Sequence, residues 1–193
     1  MDAPSIDASF VLALLSGIAL AAACGLRAFL PLLALGLAAR FGVIGLRPGV
    51  AWLGSAHALW ALGLATAIEI AGDKIPIVDH ALDVAGTVVR PAAAWLGAFA
   101  LFAAWPAPWA QIAAVVVGSC ALGVHALKAH ARIGSSALTL GSANPLVSLV
   151  EDALAFAATA IALFAPFVVL GLAMLVAWIV LRGARRDSRR SPC

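Results

Sequence analysis

The residues in this chain best suited to chemistry are a few carboxylates and bases set among long apolar runs. Glu69 and Asp73 are four residues apart, so on a helix they share a face. There they can bind a cation or pass on a proton, because close carboxylates raise one another's pKa. Glu151 and Asp152 follow Asn144 and Pro145, a cap and first-position pair that starts a helix. That start puts them roughly 10 Å along the helix axis. A charge inside a bilayer costs a few kcal/mol even on lenient scales, so it faces the bundle interior, a cavity or a partner. Two readings stay open. In one, the four acids line a transport or ion-binding site, with Arg27, Lys74, Lys128 and Arg132 balancing charge or gating it. In the other, the charges pair internally and only hold helices together; for Glu69 and Asp73 this becomes a solvated helix end with Lys74 as counter-ion.

Other chemistries find little support. His57, His80, His125 and His130 show no metal-ligand spacing of the HExxH kind, so no metal is expected. The serines at 135, 136, 142 and 148 lack a nucleophile elbow, and no glycine-rich phosphate loop is present. Cys24, Cys120 and Cys193 are scattered. Neither an enzyme nor a cofactor is expected. The excess of base, formally +3, comes largely from the tail Arg182–Arg190, directly after an apolar run. That pattern is a positive-inside membrane anchor and not a nucleic-acid surface.

The positioning elements follow from hydropathy. With 64% hydrophobic and 11% charged residues and a mean hydropathy of +1.08, the chain is too apolar for a soluble fold, in which about a quarter of residues carry charge. Apolar spans of about 20 residues cross a bilayer as helices. The first runs over residues 8–26; Ala28–Ala39 is a bent end or half-helix, with Pro31 marking a kink or a start. Trp52–Gly72 is the next span, closed by Pro76. Ile77–Arg90 reads as a short amphipathic helix, in the interface or folded back, with Asp79, Asp83, Gly86 and Arg90 on one face, the acids solvated. Ala92–Trp105 is a separate short piece, Ile112–Leu127 a span continued by the stripe His125, Lys128, Arg132, Ser135 and Thr139. A helix from Asn144 and Pro145 to Phe164 and a last span, Phe167–Leu181, complete the chain. The fold class is an all-α integral membrane protein, a bundle of about six transmembrane helices with short broken or amphipathic helices. Residues 1–181 form one polytopic domain and 182–193 a basic cytoplasmic tail. Leu35-Gly36 and Leu53-Gly54-Ser55-Ala56 recur 87 positions later as Leu122-Gly123 and Leu140-Gly141-Ser142-Ala143, which leaves open two repeated halves, 8–90 and 91–181.

Gly25-Leu26-Arg27-Ala28-Phe29-Leu30-Pro31, Ala39-Arg40-Phe41-Gly42, Asp73-Lys74-Ile75-Pro76, Asp79-His80, Asp83, Arg90-Pro91, Ala143-Asn144-Pro145, Ser148 and Glu151-Asp152 occur in this order. Together they resemble the bacterial integral-membrane family catalogued as domain of unknown function 4126. The resemblance implies a small multi-span membrane protein and supplies no activity. Glu69–Lys74 is also similar to the Glu-x-Gly-Asp-Lys-Ser/Thr signature of calcium and manganese cation/proton exchangers, with the acids four apart instead of three and Ile75 in place of the hydroxyl residue. The expected function is a transporter or channel for an ion or small solute; the alternative is a non-catalytic membrane scaffold or assembly factor. The expected setting is the inner cell membrane, multi-pass, with the C-terminus cytoplasmic. The partners are the lipid bilayer and an unknown ion or small solute, with a homo-oligomer left open and no nucleic acid.

Overall fold

The computed structural model describes residues 4, 6–139, 146–164, 178 and 182. Asn144 and Pro145, most of the span Phe167–Leu181 and most of the basic tail lie outside them. Helix α1 (Ala8–Leu26) starts at Asp7, whose carboxylate accepts the Ser9 hydroxyl at 2.7 Å and the Phe10 N–H at 2.8 Å. These bonds hold the Asp7 carboxyl below its usual range. The helix stops at Arg27, which is extended, and the chain restarts as α2 (Phe29–Arg40). Pro31 falls in the first turn of α2, where a missing N–H costs nothing. A 3₁₀ turn, Pro48–Gly54, bends by 64° into α3 (Ala56–Gly72), capped by Ser55. Then come α4 (Pro76–Leu101), α5 (Ala107–Thr139) and α6 (Leu146–Phe164). Among the described residues four helices are long and apolar enough to cross a membrane, five if the bent pair is one span, and no strand occurs. The chain is an all-α bundle of membrane-spanning type.

One expectation about the helices needs correction. The interfacial helix Ile77–Arg90 and the separate piece Ala92–Trp105 are one helix, α4, of 26 residues that passes through Pro91. An interior proline removes one backbone bond and crowds the preceding turn. Here α4 is packed along both α1 and α5, with Ala93, Ala94, Ala98 and Ala100 buried just beyond the proline, and that packing keeps it continuous. The border between halves drawn after Arg90 therefore falls inside a helix. The span Ile112–Leu127 does continue through the polar stripe, as a single 33-residue helix, α5.

Lipid tails are as apolar as leucine, so helices in a bilayer associate through close packing more than through hydrophobic burial. Small residues permit this. A Cβ on Gly25 would lie 2.6 Å from Val124 Cβ and 2.7 Å from the Ala121 carbonyl oxygen, bringing α1 against α5. One on Gly118 would lie 2.9 Å from the Trp95 nitrogen, bringing α5 against α4. Phe10, Trp105 and Phe102 stack at one end of this three-helix core, with centroids 4.2 and 4.4 Å apart. A second cluster joins α2, the 3₁₀ turn and α6 to α1 through Leu35, Leu53, Ala162, Leu163 and Leu20. Arg27 at the end of α1 meets Ser148 near the start of α6, while Ala162 and Leu163 near the end of α6 line a pocket with Ser9, Leu12, Ala13 and Ser16 in the first half of α1, so α6 runs antiparallel to α1. Gly63, by contrast, faces open space. Gly25→Ala should therefore destabilise the protein by about 1–3 kcal/mol through overpacking. Gly63→Ala should leave stability unchanged or raise it by up to about 1 kcal/mol, because alanine favours the helix. Thermal unfolding of the two variants in detergent checks this, and equal midpoints would refute the packing assignment.

Candidate functional site

The break between α1 and α2 exposes backbone groups that other helices satisfy. At the start of α2 the N–H groups of Ala28 and Phe29 have no partner in their own helix. Both donate to Glu69 of α3, at 2.9 and 3.3 Å, so an acid from a distant helix caps α2. Near the end of α1 the Gly25 carbonyl accepts from the Arg90 guanidinium of α4 at 3.4 Å. Gly86, one turn before Arg90, leaves the room its guanidinium occupies: a Cβ there would sit 3.1 Å from Nε.

Around this break lies a buried charge network. Arg27, fully buried, reaches Asp73 Oδ2 and Asp152 Oδ1, both at 2.5 Å, and donates to the Glu69 carbonyl at 3.3 Å and the Ser148 hydroxyl at 3.4 Å. Asp73 Oδ2 also meets Arg132 at 2.8 Å and Lys128 at 3.4 Å. Glu151 takes Arg132 through both oxygens, at 2.5 and 3.0 Å, and Lys128 at 3.3 Å. Arg132 further binds Asp79. Arg90 lies 3.6 Å from Asp83 and 3.9 Å from Glu69 and contacts the His125 ring. Among the described residues six carboxylates thus meet four strong bases, two carboxylates in excess. They come from α3, α4, α5, α6, the α1–α2 junction and the α3–α4 turn. All sit at the end of the bundle where α1 and α3 finish and α6 begins.

Two of the acids lie outside the candidate spans, Asp73 in the α3–α4 turn and Asp79 in the first turn of α4, ahead of its apolar stretch Ala81–Leu101. Burial alone raises Asp73, but Lys128, Arg27 and Arg132 outweigh it and hold the carboxyl below the usual range, so it stays charged. Burial also raises Asp79, and there it prevails over Arg132 with help from Asp73 and Asp83, leaving the carboxyl above its usual range.

The structure brings together Glu69, Asp73, Glu151, Asp152, Arg27, Lys128 and Arg132, all singled out by sequence. Lys74 stands apart: it is exposed, and its ammonium donates to the Ile70 carbonyl at 3.3 Å. The counter-ions of Glu69 and Asp73 are arginines and a lysine from elsewhere in the bundle. Pro31 and Pro76 each stand in the first turn of their helix, on either side of the network. Sequence reasoning missed Arg90 and placed Asp79 and Asp83 in solvent. The signal was present as two complementary stripes, Asp79-Asp83-Arg90 and His125-Lys128-Arg132, which the pairing of α4 with α5 brings face to face. Among the described residues no three His, Cys, Asp or Glu side chains gather as a metal set. His57 and His130 are exposed, the latter bonded to the Ala126 carbonyl. At the opposite end of the bundle α1, α4, α6 and the loop after α2 line an open pocket of about 320 Å³.

Fold and network define a small polytopic α-helical membrane protein with a charge cluster locked into one end. Residues 14–186 match the family described as Domain of unknown function (DUF4126), and the chain belongs to that family. No curated protein and no solved structure matches the chain.

Removing one member of a buried ion-pair cluster leaves its partners uncompensated, at about 3–5 kcal/mol. Arg27→Gln, which strands Asp73 and Asp152, should lower the unfolding midpoint in detergent accordingly. Lys74→Ala should stay within about 0.5 kcal/mol of wild type, as exposed changes do. Equal stability of the two variants would show that the network carries no such weight.

Proposed function

We propose that this protein is a transporter of an ion or small solute in which the charge network is the gate that closes one end of the bundle. The observation that carries this reading is the convergence of ten ionisable groups, with two carboxylates in excess, on the discontinuity between α1 and α2. Well-packed apolar residues would hold helices together at least as firmly as a buried ion-pair cluster, so stability alone is a poor reason to bury these charges. Intramembrane ionisable groups mark ion and proton pathways, and broken helices line transporter sites.

The excess carboxylates make the gate responsive to protons. Asp79 faces Arg132 from α5, Asp73 from the α3–α4 turn and Asp83 on its own helix. Its raised pKa means that on acidification it takes up a proton before an ordinary aspartate does. Arg132 then loses one ionic partner and is held by Asp73 and Glu151 alone. The gate loosens as pH falls.

Purified protein in proteoliposomes should move protons, a cation or a small solute, with a rate that rises as pH is lowered. Asp79→Asn, which fixes the uncharged state, should flatten that pH dependence, and the pair Glu151→Gln with Asp152→Asn should change the rate by at least about tenfold. If no proton, cation or small solute moves and the variants leave cell physiology unaltered, the reading fails and the network is structural.

A further inference from the structure

The cavity opposite the network is built from one face of α1, Ser9, Leu12, Ala13 and Ser16, together with Val43 and Ile44 of the loop after α2, Leu101 at the end of α4, and Ala162 and Leu163 of α6. Its volume of about 320 Å³ lies at the lower end of the range for small-molecule sites, about 300–1,000 Å³. Ser16 is roughly 12 Å along α1 from its start. Below it the way is blocked by the Phe102 ring against Gly17 and by Leu20, which is fully buried.

Among the described residues the lining holds no charged side chain and two hydroxyls. Ser9 is occupied, donating to Asp7 at 2.7 Å. Ser16 is 3% exposed, and its Oγ has no hydrogen-bond partner among the described residues. Hydroxyls in apolar helices normally return to the carbonyl four residues back. Thr66, Ser119 and Thr159 do so here, onto Leu62, Val115 and Ala155, at 2.7, 2.8 and 2.7 Å. Ser16 makes no such bond, and a buried hydroxyl left unpaired costs about 1–3 kcal/mol.

We propose that this cavity binds an uncharged, mainly apolar small molecule carrying one hydrogen-bonding oxygen, such as a medium-chain alcohol, ketone or ester, with that oxygen on the Ser16 hydroxyl. The apolar walls take the hydrocarbon, and the absence of charge in the lining disfavours ions. The site stands whether or not the network gates transport, because the two lie at opposite ends and share no residue.

The test is photolabelling of the full chain in phosphatidylcholine liposomes with decanol bearing an aliphatic diazirine, followed by peptide mapping. Labels should fall on Leu12, Ala13, Leu101 and Leu163 and be displaced by excess decanol. Labels on the outward-facing Ile18 and Trp60, which are 43% and 81% exposed, should not be displaced. Ser16→Ala should weaken displacement about three- to tenfold, the worth of one hydrogen bond. Leu12→Trp should abolish cavity labelling; should that variant fail gel filtration, Leu163→Trp fills the same space. A phosphatidylcholine carrying the diazirine in its chain distinguishes the source. Cavity labels from this lipid, displaced by decanol, identify a bilayer lipid as the occupant, and labels from decanol alone identify a free solute. Cavity labels that decanol does not displace, labelling unchanged by the tryptophan variants, or no effect of Ser16→Ala would overturn the proposal.

Discussion

The structure depends on one buried guanidinium, that of Arg27. It stands where α1 ends and α2 has not begun, is fully shielded from solvent, and has partners on α3, the α3–α4 turn and α6. A charge so placed is tolerable only if its donors are matched, because the desolvation cost is several kcal/mol per ion. Pairing its two terminal nitrogens fixes the depth of α3 and α6 relative to α1. Arginine suits the position because its planar fork presents five donors in fixed directions, whereas lysine offers a single point charge. Around Arg27 the remaining bases divide the acids: Lys128 and Arg132 hold Asp73 and Glu151, and Arg90 holds Glu69 and Asp83.

The two ends of the bundle are thus governed by different physics. At one end, charges in a medium of low dielectric seek one another strongly and set the register of the helices. At the other, aromatic stacking of Phe10, Trp105 and Phe102 closes the core beside an apolar cavity. Between them, α1, α4 and α5 approach at glycine and alanine positions, where small side chains permit backbone contact. Glu69 belongs to both regimes. It is an acid of the network, and it is also the cap that lets α2 begin in the membrane without stranding its first N–H groups.

Membership of a family of unknown function brings no activity to this chain, so its chemistry has to be argued from side chains. Among the described residues the cluster carries more carboxylates than strong bases, and neighbouring carboxylates raise one another's pKa.

The sequence alone determined the solvent and the fold class, because long uncharged runs have only one helical solution in a bilayer. It also pointed to Glu69, Asp73, Glu151, Asp152, Arg27, Lys128 and Arg132, since charges amid such runs are conspicuous. It marked Pro31 and Pro76 as helix starts or stops for local steric reasons. Only the tertiary structure decided which charges pair. Lys74 is adjacent to Asp73 in sequence yet points away, while Arg27, 46 positions earlier, is bound to it. Only the tertiary structure carried α4 through Pro91, because the local penalty of a proline was weighed there against packing on two neighbouring helices. And only the facing of α4 with α5 turned the stripe of Asp79 and Asp83 from an expected solvated surface into part of the network. Local rules see one helix at a time, whereas charge pairing and proline tolerance depend on what lies across the helix interface.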